Sequence, residues 1–279
     1  MEIAVLGMAV EETAQLPFGQ TLTTVGGSAV NVAIGLRLWG LHPTLVVGGS
    51  PAALSALQAS GLFGSDLIAV AGPAARSLVE VGRDGSSRVA FAATPPPPFA
   101  DLPAAALVLL SGFDLLADPE GFTATLHRLR RAGSALWLDL GPAARQGELL
   151  TPCLPLLDAL FMNQEEAALW TGLTEPGRML ARIAAPEVHI KLGQAGSLAR
   201  RMRERRRVPA PPAQAVDSTG AGDFYLAGAA ATRHLPLRAT LAAANWMGAR
   251  ASEVPGAGLH LARLLGAPVT SSGSSTTRP

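Results

Sequence analysis

Four short apolar runs, Leu107 to Leu110, Ala135 to Leu138, Ala159 to Met162 and Val188 to Leu192, are separated by stretches with helical patterning. Continuous apolar runs suit strands covered on both faces, and a helix between two such strands leaves them parallel. Ile3 to Leu6 and Leu45 to Val47 extend the series, and helices are predicted at Ser28 to Trp39, Ala52 to Ser60, Pro119 to Arg131 and Gln164 to Trp170. The expected fold class is therefore α/β: a three-layer α/β/α sandwich around a mostly parallel sheet. Two segments break the alternation. Ser77 to Ala92 alternates around Asp84-Gly85 and is predicted to be a β-hairpin standing apart as a flap. Ser197 to Val208 is predicted to be a second hairpin, Pro95 to Pro98 a stiff extended connector, and Val269 to Pro279 a disordered Ser/Thr-rich tail.

The chain has 279 residues, 48% of them hydrophobic, which is ample for a large core. A net charge of +1 gives no general attraction to nucleic acid or anionic lipid. The cluster from Arg200 to Arg207 lacks interleaved aromatics and reads as a solvated hairpin face. A single cysteine, Cys153, excludes an intrachain disulfide and a cysteine metal cluster. The N-terminus lacks a basic region before its apolar residues and reads as a first strand, and no apolar run reaches membrane-spanning length. A soluble cytoplasmic protein with neither nucleic-acid nor membrane partners is expected.

Four constellations carry chemistry. In Val216 to Asp223, VDSTGAGD, the residues Gly220, Ala221 and Gly222 have almost no side chains and precede an apolar helical run from Phe224 to Ala231. Their amides would sit at a helix N-terminus, where unpaired N–H groups and the helix dipole favour an anion. Asp223 would repel a simple anion. It makes sense if the amides hold a phosphoryl group while Asp223 takes the proton of an attacking hydroxyl. The plainer alternative is a Gly-rich turn with an acid in the first helical turn. Gly26-Gly27 lead into a helix on which Asn31 lies one turn in, offering donor and acceptor to a sugar hydroxyl or, alternatively, to local backbone. Asn163 and Glu166 follow a strand end and share one helix face. They could hold a hydrated Mg²⁺ or form a capping box, and the motif alone decides neither. Lys191, Gly193 and Gly196, in KLGQAG, mark another strand end where the turn can pass close to a nucleotide, although the spacing is not that of a P-loop. No glycine fingerprint of a dinucleotide site follows the first strand.

In this order the four constellations resemble the ribokinase-like (PfkB) carbohydrate kinase family, from Ile3 to about Gly258. The family's motif D-[TS]-x-G-A-G-D is present in full as Asp217 to Asp223, its Gly-Gly as Gly26-Gly27 with Asn31, and its N-x-x-E as Asn163 and Glu166. The resemblance implies one kinase domain over 1–268 with a small β-lid drawn from about 11–25 and 77–92. It implies Asp223 as the base, Gly220 to Gly222 as the anion hole, and ATP flanked by Lys191 to Gly196 and the region of Asn245. It also implies Mg²⁺, a monovalent cation such as K⁺ beside Asp217 and Ser218, and a homodimer formed through the lid. The family's early sugar-binding Asp is absent, and Glu12 is the nearest match. The stretch from Glu12 to Gly26 is short for the lid, GGSPAA (Gly48 to Ala53) replaces an acidic loop, and Gly141 stands where Asn is common. The departures at Glu12, in the stretch from Glu12 to Gly26 and at Gly48 to Ala53 lie on the acceptor side. A sugar kinase is expected. The alternatives are a nucleoside kinase of the same fold, for which Phe18 or Phe91 would stack the base, and a non-catalytic sensor.

Overall fold

The computed structural model describes residues 2–93, 95–111 and 117–264; the expected tail, 269–279, lies outside them. Two sheets form. The larger contains β1 (Ile3–Met8), β4 (Thr44–Gly49), β5 (Leu67–Ala71), β8 (Leu107–Ser111), β9 (Ala135–Asp139), β10 (Ala159–Asn163), β11 (Glu187–Lys191), β12 (Ser197–Arg201) and β13 (Glu204–Val208). Its order is β13-β12-β11-β10-β9-β8-β1-β4-β5, parallel from β11 to β5, with the β12–β13 hairpin added antiparallel at one edge. Strand β5 is one that sequence patterning did not single out.

Side-chain alternation divides the core. Ile3 and Val5 of β1 enter one apolar cluster, with residues of α1 (Ser28–Leu38), α7 (Ala221–Ala231) and α8 (Leu237–Ser252). Ala4 and Leu6 enter the other, with Phe122, Leu126 and Leu129 of α3 (Pro119–Arg131) and Met179 and Leu180 of α6 (Pro176–Arg182). Helices thus cover both faces, as the sandwich requires.

After β1 the chain runs outward to β4, and later returns to β8 on the other side of β1. The order reverses there, which opens a crevice at the carboxyl ends of the strands, where open α/β sheets bind ligands. Met8, Ser111, Asp139, Asn163 and Lys191 are the last residues of β1, β8, β9, β10 and β11, and all five line one cavity.

The second sheet roofs that cavity. It orders β3 (Thr21–Gly26), β2 (Val10–Gln15), β6 (Ala75–Val81) and β7 (Ser87–Ala93), with β2 and β6 parallel. The hairpin predicted around Asp84-Gly85 is β6–β7, and the stretch expected to be short for the lid holds β3 and, from Val10 onward, β2, each of six residues. Strand β7 alternates Arg88, Val89, Ala90 and Phe91, which puts Val89 and Phe91 among the lining residues. The arginine hairpin is mainly structural on its first strand. Arg200 donates to the carbonyls of Leu180, Ile183 and Ala185, and Arg201 grips Glu187 at 2.8 and 3.0 Å.

Candidate active site

Two close-packed helices build the centre. On α1, Gly35 lies one turn beyond Asn31, and on α7, Ala227 lies one turn beyond Asp223. A Cβ at Gly35 would stand 2.6 Å from that of Ala227, so only glycine permits this approach. One turn earlier on the same faces, Asn31 Nδ2 donates to Asp223 Oδ2 at 2.8 Å. The other end of the Asn31 amide accepts from the Gly258 N–H at 2.8 Å. Asn31 is buried, and its carbonyl and one N–H are committed to the protein.

The VDSTGAGD loop is held from beneath. Asp217 is fully buried; its Oδ1 accepts from the Thr219 N–H and hydroxyl, and its Oδ2 from the Gly256 N–H. Gly220 caps α7 at φ +76, so the backbone favours glycine, and a Cβ there would crowd Asn31 Nδ2 at 3.1 Å. The amide of Ala221 donates to the Ser218 carbonyl, which removes it from the anion hole expected from sequence. The Gly222 and Asp223 amides belong to the first turn, which has no intrahelical acceptors for them.

Asp223 faces the cavity with its carboxyl pushed up to about 7. Burial is the main cause and the nearby Asp139 adds to it; the bonds from Asn31 and Ser28 and the charge of Lys191 oppose it. A carboxyl poised there is suited to general-base work near neutral pH. Lys191 Nζ lies 2.8 and 2.7 Å from the two oxygens of Asp139, and 3.0 Å from where a Gly222 Cβ would be. Burial pulls the ammonium down, but Asp139, Glu166 and Asp223 outweigh it and hold Lys191 above its usual range. An ammonium has three donors, and two point at Asp139, which leaves one for a ligand beside the α7 amides. Sequence reasoning missed Asp139. Its signal was an acid closing the apolar run Ala135 to Leu138.

Asn163 and Glu166 form the capping box. The Asn163 N–H and Nδ2 donate to the Glu166 carboxylate and the Glu166 N–H donates to Asn163 Oδ1, each at 2.8 Å. Both still line the cavity. Burial raises the Glu166 carboxyl, with Lys191 opposing. Gly193 and Gly196 line the cavity too, and Gly196 also lets the turn pass against Val208 and Pro209. Asn245 Nδ2 donates to the Val208 carbonyl at 3.0 Å and so anchors the Pro-rich approach to the loop.

On the lid side Glu12 is buried, and Ser77 Oγ stands 3.5 Å from its Oε2 while its Oε1 has no partner among the described residues. Burial, with the charge of Asp217 adding to it, pushes the carboxyl up to about 7. Gly27 lines the cavity as the cap of α1, packed against the carbonyl of Met8, whereas Gly26 packs on Gly258 and does not line it. Phe91 lines the cavity; Phe18 is 86% exposed, with Arg83 over its ring. The lid tip reaches the loop as well: the Ser218 N–H donates to the Gly85 carbonyl at 2.9 Å, and the hydroxyls of Ser87 and Ser218 are 3.0 Å apart. The cleft's volume is about 1020 Å³, larger than a single sugar needs. Thirteen of the expected site residues line it; Gly26 and Asp217 stand behind its wall.

Residues 3–262 match the pfkB family carbohydrate kinase profile, and the chain belongs to that family. A fructokinase of Klebsiella pneumoniae is 28% identical over 259 residues, covering 81% of this chain and 82% of its own. Among solved structures, a fructokinase double mutant of Vibrio cholerae O395 with fructose, ADP and potassium ion bound superposes with a TM-score of 0.77. It is 20% identical, over 97% of this chain and 99% of its own. A nucleoside kinase of Burkholderia thailandensis in complex with inosine gives 0.74 at 20% identity, over 92% of each chain. These likenesses establish the ribokinase-like fold. Among the described residues no helix is long and apolar enough to cross a membrane.

Proposed function

We propose that the protein is an ATP-dependent kinase that phosphorylates a hydroxyl of a small sugar or sugar derivative. One observation carries this: a carboxyl held near 7 stands in the first turn of α7, on the cavity wall, beside two amides without intrahelical acceptors. Asp223 takes the proton of the acceptor hydroxyl as its oxygen bonds to the terminal phosphorus. The bond from that phosphorus to the bridging oxygen breaks, and ADP leaves with the electron pair. The amides of Gly222 and Asp223 and the third N–H of Lys191 offset the charge that develops on the phosphoryl oxygens. ATP lies across the strand ends, flanked by Lys191, Gly193, Gly196 and the segment anchored by Asn245. Glu12 receives hydroxyl donors from the sugar, and Asn31 aims the base.

Mg²⁺ fits the Asn163–Glu166 end through water, because the direct ligands there are engaged with each other. When bound, it offsets polyphosphate charge. A monovalent cation fits beside Asp217, a buried acid whose hydrogen-bond partners among the described residues are all neutral, with a single bond at Oδ2. A nucleoside acceptor is the second reading, resting on Phe91 in the cavity wall. Measuring ADP release with purified protein across a panel of sugars and nucleosides tests both. Turnover names the acceptor class, and turnover that persists in Asp223→Asn would remove the carboxylate from the mechanism.

A further inference from the structure

The acids lining the cavity among the described residues are Glu12, Asp84, Asp139, Glu165, Glu166 and Asp223; the one cationic side chain is Lys191. That cation is committed to the donor end, with both Asp139 oxygens within 2.8 Å of Nζ and Gly222 of α7 directly beside it. At the lid end the lining is Val10, Glu12, Ala75, Ser77, Val89 and Phe91, with no cation. Glu12 is only 5% exposed, its Oε1 has no partner among the described residues, and the charge that acts on it is that of a second acid, Asp217. A buried carboxylate oxygen without a partner calls for an O–H or N–H donor. A second anion placed beside it would be desolvated next to like charge.

We propose that the acceptor half of the cleft is a charge filter: it takes an uncharged, hydroxyl-rich acceptor whose O–H donates to Glu12, and rejects sugars that already carry phosphate or carboxylate. This rests on the kinase reading for the word acceptor, but its test does not require turnover. Purified protein is titrated calorimetrically at pH 8, where Glu12 is mostly ionised. The ligands are matched pairs: free sugars and their phosphate esters, aldoses and their aldonates, nucleosides and their 5′-monophosphates. The same compounds are assayed for ADP release. At least one neutral member binds, and its anionic counterpart binds at least about a hundredfold more weakly. Glu12→Gln narrows that ratio by about tenfold or more while the KM for ATP holds. An anionic member that binds as tightly as its neutral counterpart, or failure of every neutral member to bind, overturns the filter. A ratio unchanged in Glu12→Gln overturns the role given to Glu12. Charge-selective binding without ADP release from any pair leaves the filter standing and overturns the kinase reading instead.

Discussion

Replacing Asn31 with leucine keeps the volume and deletes the donor that Asp223 accepts at 2.8 Å. A hydrogen bond to a charged group is worth about 1.5–3 kcal/mol, and one pKa unit about 1.4 kcal/mol, so Asp223 should rise by roughly one to two units. It starts from about 7. At pH 7.5 the ionised fraction then falls from roughly three quarters to between about a quarter and about 3%, with kcat/KM falling in proportion. Activity should recover as the pH is raised toward 9.5, because the base is displaced in pKa and still present. The Gly258 N–H loses its acceptor as well, at a cost of about 1–3 kcal/mol in stability that urea denaturation reads separately. The assay is kcat/KM against pH by coupled ADP detection. If the acid limb stays where it is in the wild type while the KM for the acceptor alone rises, Asn31 is a sugar contact and the reasoning fails.

Asp223→Asn should lower kcat by about two to four orders of magnitude, the usual worth of a general base. It should also stabilise the fold: the carboxyl is raised from 3.8 to about 7, so folded-state ionisation costs stability progressively as pH rises between those values. The gain is at most roughly 4 kcal/mol at pH 8 and vanishes near pH 4; equal gains at both would disprove the linkage. Lys191→Gln should cut kcat by about 10²–10³, and Asp139→Asn by less, with the double variant no worse than Lys191→Gln alone. A rise in the KM for ATP with unchanged kcat would reduce Lys191 to a binding contact. Gly35→Val must push α1 from α7, at about 1–3 kcal/mol, and should depress kcat although the residue does not line the cavity. Normal turnover in that variant would show that helix spacing does not set the Asn31–Asp223 contact.

What could be read from the sequence was local. VDSTGAGD carries its turn, its cap and its acid within eight residues, and Asp84-Gly85 marks its own hairpin. Contacts between distant segments were not legible. Asn31 and Asp223 are 192 positions apart, and nothing in either helix names the other. From sequence Asn31 looked like a sugar ligand because its best partner was hidden. The β2–β6 pairing that closes the lid sheet is parallel and equally non-local. Asp139 escaped because one acid at the end of an apolar run becomes chemistry only when β11 places Lys191 beside it. For Asn163 and Glu166 both readings were open; the hydrogen bonds form the capping box, and the cavity keeps the pair near the strand ends.

The contact between Gly85 and Ser218 ties roof to floor. The roof's tip and the loop that leads into α7 share an amide-to-carbonyl bond and a pair of touching hydroxyls. Swinging the roof away would break both contacts and free the loop at Ser218, so that, on the kinase reading, the chamber would come into working order only when shut. On the kinase reading, water reaching a nucleotide through an open door would meet a slack loop, and an untenanted chamber would then spare the nucleotide.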